Sequence, residues 1–304
     1  MPERAGTVTK PRRPSVAERE AAARRAKTPD GEAMMRVRDD DRDLLGYLYR
    51  WARWLTLEQA QQLAYPGLTE RYVYLRLTQM REAGILRAMR RPPTRPEETE
   101  QRGGVELVYG IGKWGIWLVE RETLPESRHR KESDFLLSTT HLDHQLRMNE
   151  LGIVTVRAAK EQAVELDWQA NRDALIEAGK SRLIPDAIAE FDEGVGEVPT
   201  MFLVEIDQGT ATFKQLEAKL MRYRQMLLYA HAHQGGQGME AKRWRALLAA
   251  QILWICESEP RAQRVIELAA RLEIRNILVR NLEAGKALLR HQVDLCARRG
   301  GGQA

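Results

Sequence analysis

Leu183–Ile184–Pro185–Asp186–Ala187–Ile188–Ala189–Glu190–Phe191 and Met201–Phe202–Leu203–Val204–Glu205–Ile206–Asp207–Gln208–Gly209–Thr210 are the stretches that decide the fold. Both read as short strands rich in Ile, Val, Leu and Phe, separated by the turn-forming residues Asp192, Glu193, Gly194, Gly196 and Pro199. Apolar runs of this kind suit strands covered on both faces, where a carboxylate is costly without a partner or a metal. Asp186 nevertheless opens the first strand, and Glu205 and Asp207 stand near the end of the second. Side chains alternate along a strand, so Glu205 and Asp207 share a face, and a hairpin pairing brings Asp186 towards them. A helix from Thr212 to His231 follows at once and carries Lys214, Lys219 and Tyr223. Lys219 and Tyr223 are one helical turn apart and can face the same sheet edge.

Before this core, Asp41–Arg53 places Leu44, Leu45, Leu48 and Trp51 on one helical face. Thr56 caps a short helix, Leu57–Leu63, which Pro66–Gly67 ends. Thr69 caps a third, Glu70–Ala83, whose buried stripe is Val73, Leu77 and Met80. Gly84 takes the left-handed cap, and Ile85–Leu86 returns the chain to the core. A strand over Ile85–Arg90, a Pro-rich loop over Arg91–Gly104 and a strand over Val105–Tyr109 complete the order of a winged helix-turn-helix.

As a DNA reader, Glu70–Ala83 would lie in the major groove. Arg71, Tyr74, Thr78 and Arg81 flank one side of its stripe; Tyr72, Arg76 and Gln79 flank the other. Both flanks carry residues able to contact bases or phosphates, so both stay open. Arg87, Arg90, Arg91, Arg95 and Arg102 would furnish the wing. The competing reading is a protein-contact domain with solvated arginines. The gathering of basic residues in the third helix and wing favours DNA.

The 304 residues suffice for two domains. Residues 1–38 hold ten Lys or Arg against five acids, which is the whole +5 excess, since the other 266 carry 38 of each. The basic character therefore belongs to a Pro- and Arg-containing tail expected to be disordered, and the body is balanced. Residues 39–122 form the expected winged-helix domain, with Trp114 and Trp117 of a helix over Lys113–Glu122 as packing residues, and 123–132 the linker. Residues 133–298 form an α/β domain, opening with a helix from Asp134 to about Lys160 that breaks near Gly152. A first strand, Val164–Trp168, precedes the core pair. Ala250–Cys256, Pro260–Leu272, Asn276–Val279 and Leu282–Arg298 follow as strand, helix, strand and helix. His141 and His144 stand at i, i+3 without a third strong ligand nearby. No run reaches membrane-spanning length and no signal peptide is read; with Cys256 and Cys296 far apart and no CxxC motif, a cytoplasmic, reducing setting is expected.

Pro185–Asp186 followed by Glu205 resembles the core of the PD-(D/E)xK nucleases. That resemblance implies an α/β nuclease-like domain with Asp186, Glu205 and Asp207 around Mg²⁺ or Mn²⁺ if the protein is catalytic. Asp207 stands where the motif has lysine, and Lys219–Leu220–Met221–Arg222–Tyr223 looks like the Gln-x-x-x-Tyr pattern that other branches carry on the next helix. The nuclease resemblance also implies His144 as a residue brought in from the first helix. The whole order, from winged helix through Leu142–Asp143–His144 and Asn149 to Glu205–Ile206–Asp207–Gln208–Gly209–Thr210 and Lys219…Tyr223, resembles the replication-relaxation family of plasmids and other mobile elements. It implies an α+β multidomain protein with double-stranded DNA as partner, with replication or mobilisation proteins as further partners. Two classes remain open: a metal-dependent nickase, or a winged-helix regulator or replication accessory whose nuclease-like domain serves as scaffold or homodimer contact.

Overall fold

The computed structural model describes residues 37–91, 106–123, 130–137, 139–192, 198–235 and 238–300. Most of the expected basic tail, the wing loop with Arg95 and Arg102, Val105, most of the expected linker, the turn at 193–197 and part of the Gly235–Gly238 loop lie outside them. The chain is α+β.

Its first half runs α1 (Asp39–Tyr47), a π-helical turn (Leu48–Ala52), β1 (Trp54–Thr56), α2 (Leu57–Ala64), α3 (Glu70–Glu82), β2 (Leu86–Arg90), β3 (Leu107–Ile111) and α4 (Lys113–Thr123). The three strands make an antiparallel sheet in the order β1-β3-β2. Local chemistry explains the boundaries. Thr56 and Gln59 form a reciprocal capping box at the start of α2. At the end of α3, Gly84 has φ +70, its N–H reaches the Arg81 carbonyl, and the Ile85 N–H reaches that of Met80. Those two bonds are the Schellman closure that glycine permits. Val73, Leu77 and Met80 form the buried stripe of α3. The first helical stretch ends at Arg53 as expected, but its last turn widens into the π form.

The second half begins with a 3₁₀ turn (Glu132–Phe135) and α5 (Thr139–Glu161), then β4 (Leu166–Ala170) and a second 3₁₀ turn (Asn171–Ala174). A small hairpin, β5 (Ile176–Ala178) and β6 (Ser181–Leu183), leads to β7 (Ala187–Phe191), β8 (Thr200–Asp207) and α6 (Phe213–His233). Then come α7 (Met239–Ala249), β9 (Gln251–Cys256), α8 (Glu259–Arg271), β10 (Ile277–Arg280) and α9 (Leu282–Gly300). The main sheet has the order β10-β9-β8-β7-β4. β4, β7 and β8 form an antiparallel meander, while β8, β9 and β10 are parallel. Neither the β5–β6 hairpin nor α7 was expected from the sequence.

Alternation sorts the strand residues into two cores. Phe202, Val204 and Ile206 point towards the cluster that includes α5 and α9. Met201 and Leu203 point towards α6, α7 and α8, as does Ile188 of β7. Glu205 and Asp207 share the parity of Leu203, and Asp186 that of Ile188, so all three carboxylates belong to the α6 side.

The two halves are joined by one continuous core in which Trp51 meets Trp168 at 6.2 Å between ring centroids. The expected break at Gly152 is absent: α5 runs unbroken to Glu161. A Cβ at Gly152 would stand 2.9 Å from the Trp51 ring and 3.0 Å from that of Trp168, so glycine lets both indoles close on the helix. Buried amides sew the same seam. Asn149 donates to the carbonyls of Ala52 (3.1 Å) and Trp54 (2.5 Å), and Gln145 donates to that of Trp51 (3.3 Å). Trp117, expected to be packed, is 37% exposed with Arg121 over its ring. No helix among the described residues is long and apolar enough to cross a membrane.

Candidate active site

Asp186 stands immediately before β7, and the β7–β8 register sets Ala187 opposite Val204, so Asp186 falls beside Glu205. The Ile206 N–H donates to Asp186 Oδ2 at 2.7 Å. Its other oxygen, Oδ1, is 3.2 Å from His144 Nε2 and 3.9 Å from Lys219 Nζ. Lys219 bonds directly to Glu205 Oε2, and the Tyr223 hydroxyl donates to Glu205 Oε1 at 2.6 Å. The i, i+4 spacing of Lys219 and Tyr223 on α6 thus delivers one donor to each oxygen of the same carboxylate. Lys214 is exposed and takes no part.

Two carboxylates share one ammonium here, and the electrostatics follow from that count. Burial pushes the Asp186 carboxyl up, but Lys219, His144 and the Ile206 amide outweigh it and hold it at about 2. Glu205 is 1% exposed, and there burial wins. Helped by repulsion from Asp186, it pushes the Glu205 carboxyl up to about 8 against the pull of Lys219 and Tyr223. Burial opposes the charge of Lys219, yet Glu205 and Asp186 overcome it and raise its pKa.

Asp207 has a different set of partners. Arg261 of α8 clasps it through Nε at 2.7 Å and through a terminal nitrogen at 3.2 Å, and the Gly209 N–H donates at 2.9 Å. No sequence signal pointed to Arg261, which lies 54 residues away. Among the described residues no three His, Cys, Asp or Glu side chains are gathered so as to hold a metal ion. Asp207 is thus held apart by Arg261, while Asp186 and Glu205 share Lys219.

Asp186, Glu205, Asp207 and Lys219 line a cleft of about 600 Å³ between the halves of the chain. His141, His144, Gln145, Thr210, Gln215 and Trp254 line it too, and Arg53 reaches it from the first half. The indole N–H of Trp254 is buried there without a hydrogen-bond partner.

On α3, Arg71, Tyr74 and Arg81 are exposed and Thr78 is half-buried beside them. The opposite flank is committed elsewhere. Arg76 grips Asp41, with Nε at 3.0 Å from Oδ1, and also reaches Gln79 at 3.3 Å. Tyr72 accepts a bond from Arg38. Arg91 is anchored to Glu106 at 2.9 Å and Asp143 at 2.8 Å, and Arg87 lies over the Trp54 ring. Arg90 is exposed. Arg76 and Arg91 are thus both held in ion pairs within the chain, which a reading of local sequence does not contain.

The replication-relaxation family model matches residues 45–241, and the chain belongs to that family. The matched span includes Arg53, His144, Asp186, Glu205, Lys219 and Tyr223 and stops short of Arg261. No curated protein and no solved structure matches the chain.

Proposed function

We propose that the protein binds duplex DNA of a plasmid or other mobile element and nicks it at the Asp186–Glu205–Lys219 site, with Mg²⁺ or Mn²⁺. The observation that carries this reading is Lys219, which bonds Glu205 and stands 3.9 Å from Asp186 inside an open cleft. The succession α5, β4, β7, β8, α6, β9, a meander followed by a helix and a parallel strand, agrees with a nuclease-like core.

The donor set fits a hard divalent cation. Asp186 and Glu205 supply oxygen ligands, and the raised pKa of Glu205 marks a buried carboxyl whose charge a single ammonium does not fully balance. When bound, the cation supplies Lewis-acid polarisation of the phosphate and a more acidic water. Tyr223 holds the Glu205 carboxylate in one orientation, and His144 does the same for Asp186 Oδ1. Lys219, 31% exposed to the cleft, donates to phosphate oxygens as negative charge develops on them. The winged helix presents Arg71, Tyr74, Thr78 and Arg81 to the major groove, with Arg90 and the exposed Gln79 at its margin.

The test is relaxation of supercoiled plasmid in Mn²⁺ by wild type, Asp186→Ala and Glu205→Ala. A nicked product made by wild type and lost in both variants is expected. Plasmid left supercoiled by the wild type in either metal rejects the enzyme. A second reading, DNA binding with a non-catalytic scaffold or homodimer domain, is favoured by the engagement of Asp207 with Arg261. It predicts duplex binding without nicking in the same assay.

A further inference from the structure

We infer that Arg53 is a phosphate-binding residue of the cleft, delivered to it by the N-terminal half of the chain. The inference rests on the reading that this cleft takes DNA, and it deepens it: the site is complete only when both halves are present.

Arg53 is among the residues that line the cleft, as are His144, Asp186, Glu205 and Lys219, although it belongs to the turn after the π-helical segment. Its N–H closes that segment on the Leu48 carbonyl at 3.3 Å. Its backbone has φ 53 and ψ −53, a region that side-chain-bearing residues rarely adopt. Strain of this kind persists where the surroundings over-determine it, and it gathers at functional sites, as π-bulges do.

The surroundings do over-determine it. The carbonyls of Trp51, Ala52 and Trp54 are held by Gln145 and Asn149 of α5. Asn171 adds a bond from its side chain to the Trp51 carbonyl at 3.2 Å, while its own N–H donates to the Asp186 carbonyl at 3.1 Å. One residue therefore ties the backbone on either side of the cleft, and the placement of Arg53 relative to Asp186 is fixed.

Charge gives the ligand class. Arg130 is paired with Asp173, and Arg172 with Asp134 at 3.3 Å. Three arginines thus meet two aspartates, and among the described residues no carboxylate lies within ion-pair distance of Arg53 itself. Burial, then repulsion from Arg130 and Arg172, pushes its pKa below the ordinary guanidinium value, in keeping with a charge that has no ion-pair partner among the described residues. A guanidinium in that state gains from an anion, and its planar fork suits two oxygens of a phosphodiester.

Arg53→Gly tests this without a folding ambiguity, because glycine adopts positive φ freely and relieves the strain. In the full-length chain its melting temperature should equal or exceed that of the wild type. Binding of a labelled duplex, measured in Ca²⁺ across a salt series, should lose about 0.9 from the slope of log K against log salt, the share of one phosphate contact. Arg53→Lys should keep the slope. Where the wild type nicks, Arg53→Gly should slow nicking by about a hundredfold. An unchanged slope in Arg53→Gly overturns the inference, as does a slope that changes together with a fall in melting temperature. A wild type that binds but does not cut defeats the nickase reading alone, and the slope still decides for Arg53. A wild type that does not bind duplex overturns both.

Discussion

Two buried acid–base clusters, one in each half of the chain, are built from the same parts and balanced differently. In the first, Asp41 is fully buried and accepts bonds from Arg76, from the Tyr65 hydroxyl at 2.7 Å and from the Arg38 N–H at 2.7 Å. In the second, Glu205 is 1% exposed and accepts from Lys219 and from the Tyr223 hydroxyl at 2.6 Å. Burial pushes both carboxyls up. Around Asp41 the donors outweigh it and its pKa falls; around Glu205 a second carboxylate competes for the one ammonium, and the pKa rises to about 8. The saturated cluster lies within the three-helix core of the first half, whereas the under-compensated one opens on a cleft. A buried acid left short of positive charge retains an appetite for a cation, which a saturated one lacks.

That contrast breaks most visibly on stability. Asp41→Ala removes the fully buried carboxylate that Arg76, Tyr65 and the Arg38 N–H all bond, and should cost about 3–5 kcal/mol in urea unfolding. Arg76→Ala should act in the same direction. Glu205→Gln replaces a carboxyl that already favours its neutral form, and should change stability by less than about 1 kcal/mol. Equal losses from Asp41→Ala and Glu205→Gln would erase the distinction between the two clusters.

Metal binding sharpens the comparison next. At neutral pH, calorimetry of Mn²⁺ binding in buffers of different ionisation enthalpy should show release of about one proton, drawn from Glu205. Glu205→Gln should abolish that release, and Asp41 variants that remain folded should not affect it. Binding with no proton release would contradict the raised pKa.

The pH profile of stability is a gentler probe. Between its ordinary 4.5 and about 8, Glu205 holds a proton in the folded chain that the unfolded chain lacks, so its contribution falls as pH rises through that window. Asp186 has the opposite sign, contributing above its ordinary 3.8 and losing that contribution as pH falls towards about 2. Unfolding midpoints followed across both windows should lose the upper slope in Glu205→Gln and keep the lower. The smallest effect expected is on DNA affinity from α3: Arg71→Ala and Arg81→Ala should each weaken duplex binding by about 1 kcal/mol at unchanged melting temperature. Arg76→Ala should do the reverse, moving stability and leaving the affinity of the folded fraction nearly intact.

What was legible in the sequence was local. The cap at Thr56, the Gly84 closure, the stripe of α3 and the Lys219…Tyr223 spacing each lie within a few residues, and the structure places all of them as read. The strand pair and its carboxylates were legible because acids in apolar runs stand out against the alternation of a buried strand. What escaped depends on distant partners. Arg76 with Asp41 spans 35 residues, Arg261 with Asp207 spans 54, and Asn149 with the Ala52 carbonyl spans 97. The buried Gln145 and Asn149 did leave a trace, as amides at i, i+4 on a helix face shared with Leu142 and Leu146. Helix α7 was missed because Lys242, Arg243 and Arg245 interrupt its short apolar period. The special backbone of Arg53 leaves no trace at all, since nothing about an arginine suggests a positive φ.

The central claim is that Lys219 belongs to a working site, and single-turnover nicking of supercoiled plasmid tests it most directly. With enzyme in excess and Mn²⁺ present, Lys219→Ala should slow nicking by about 10²–10³-fold while the dissociation constant for duplex DNA stays within about twofold, since charge stabilisation is felt mainly in the transition state. Lys219→Arg should restore little, and Lys214→Ala should behave as wild type. Nicking by Lys219→Ala at the wild-type rate, or loss of rate matched by an equal loss of DNA affinity, would contradict the account.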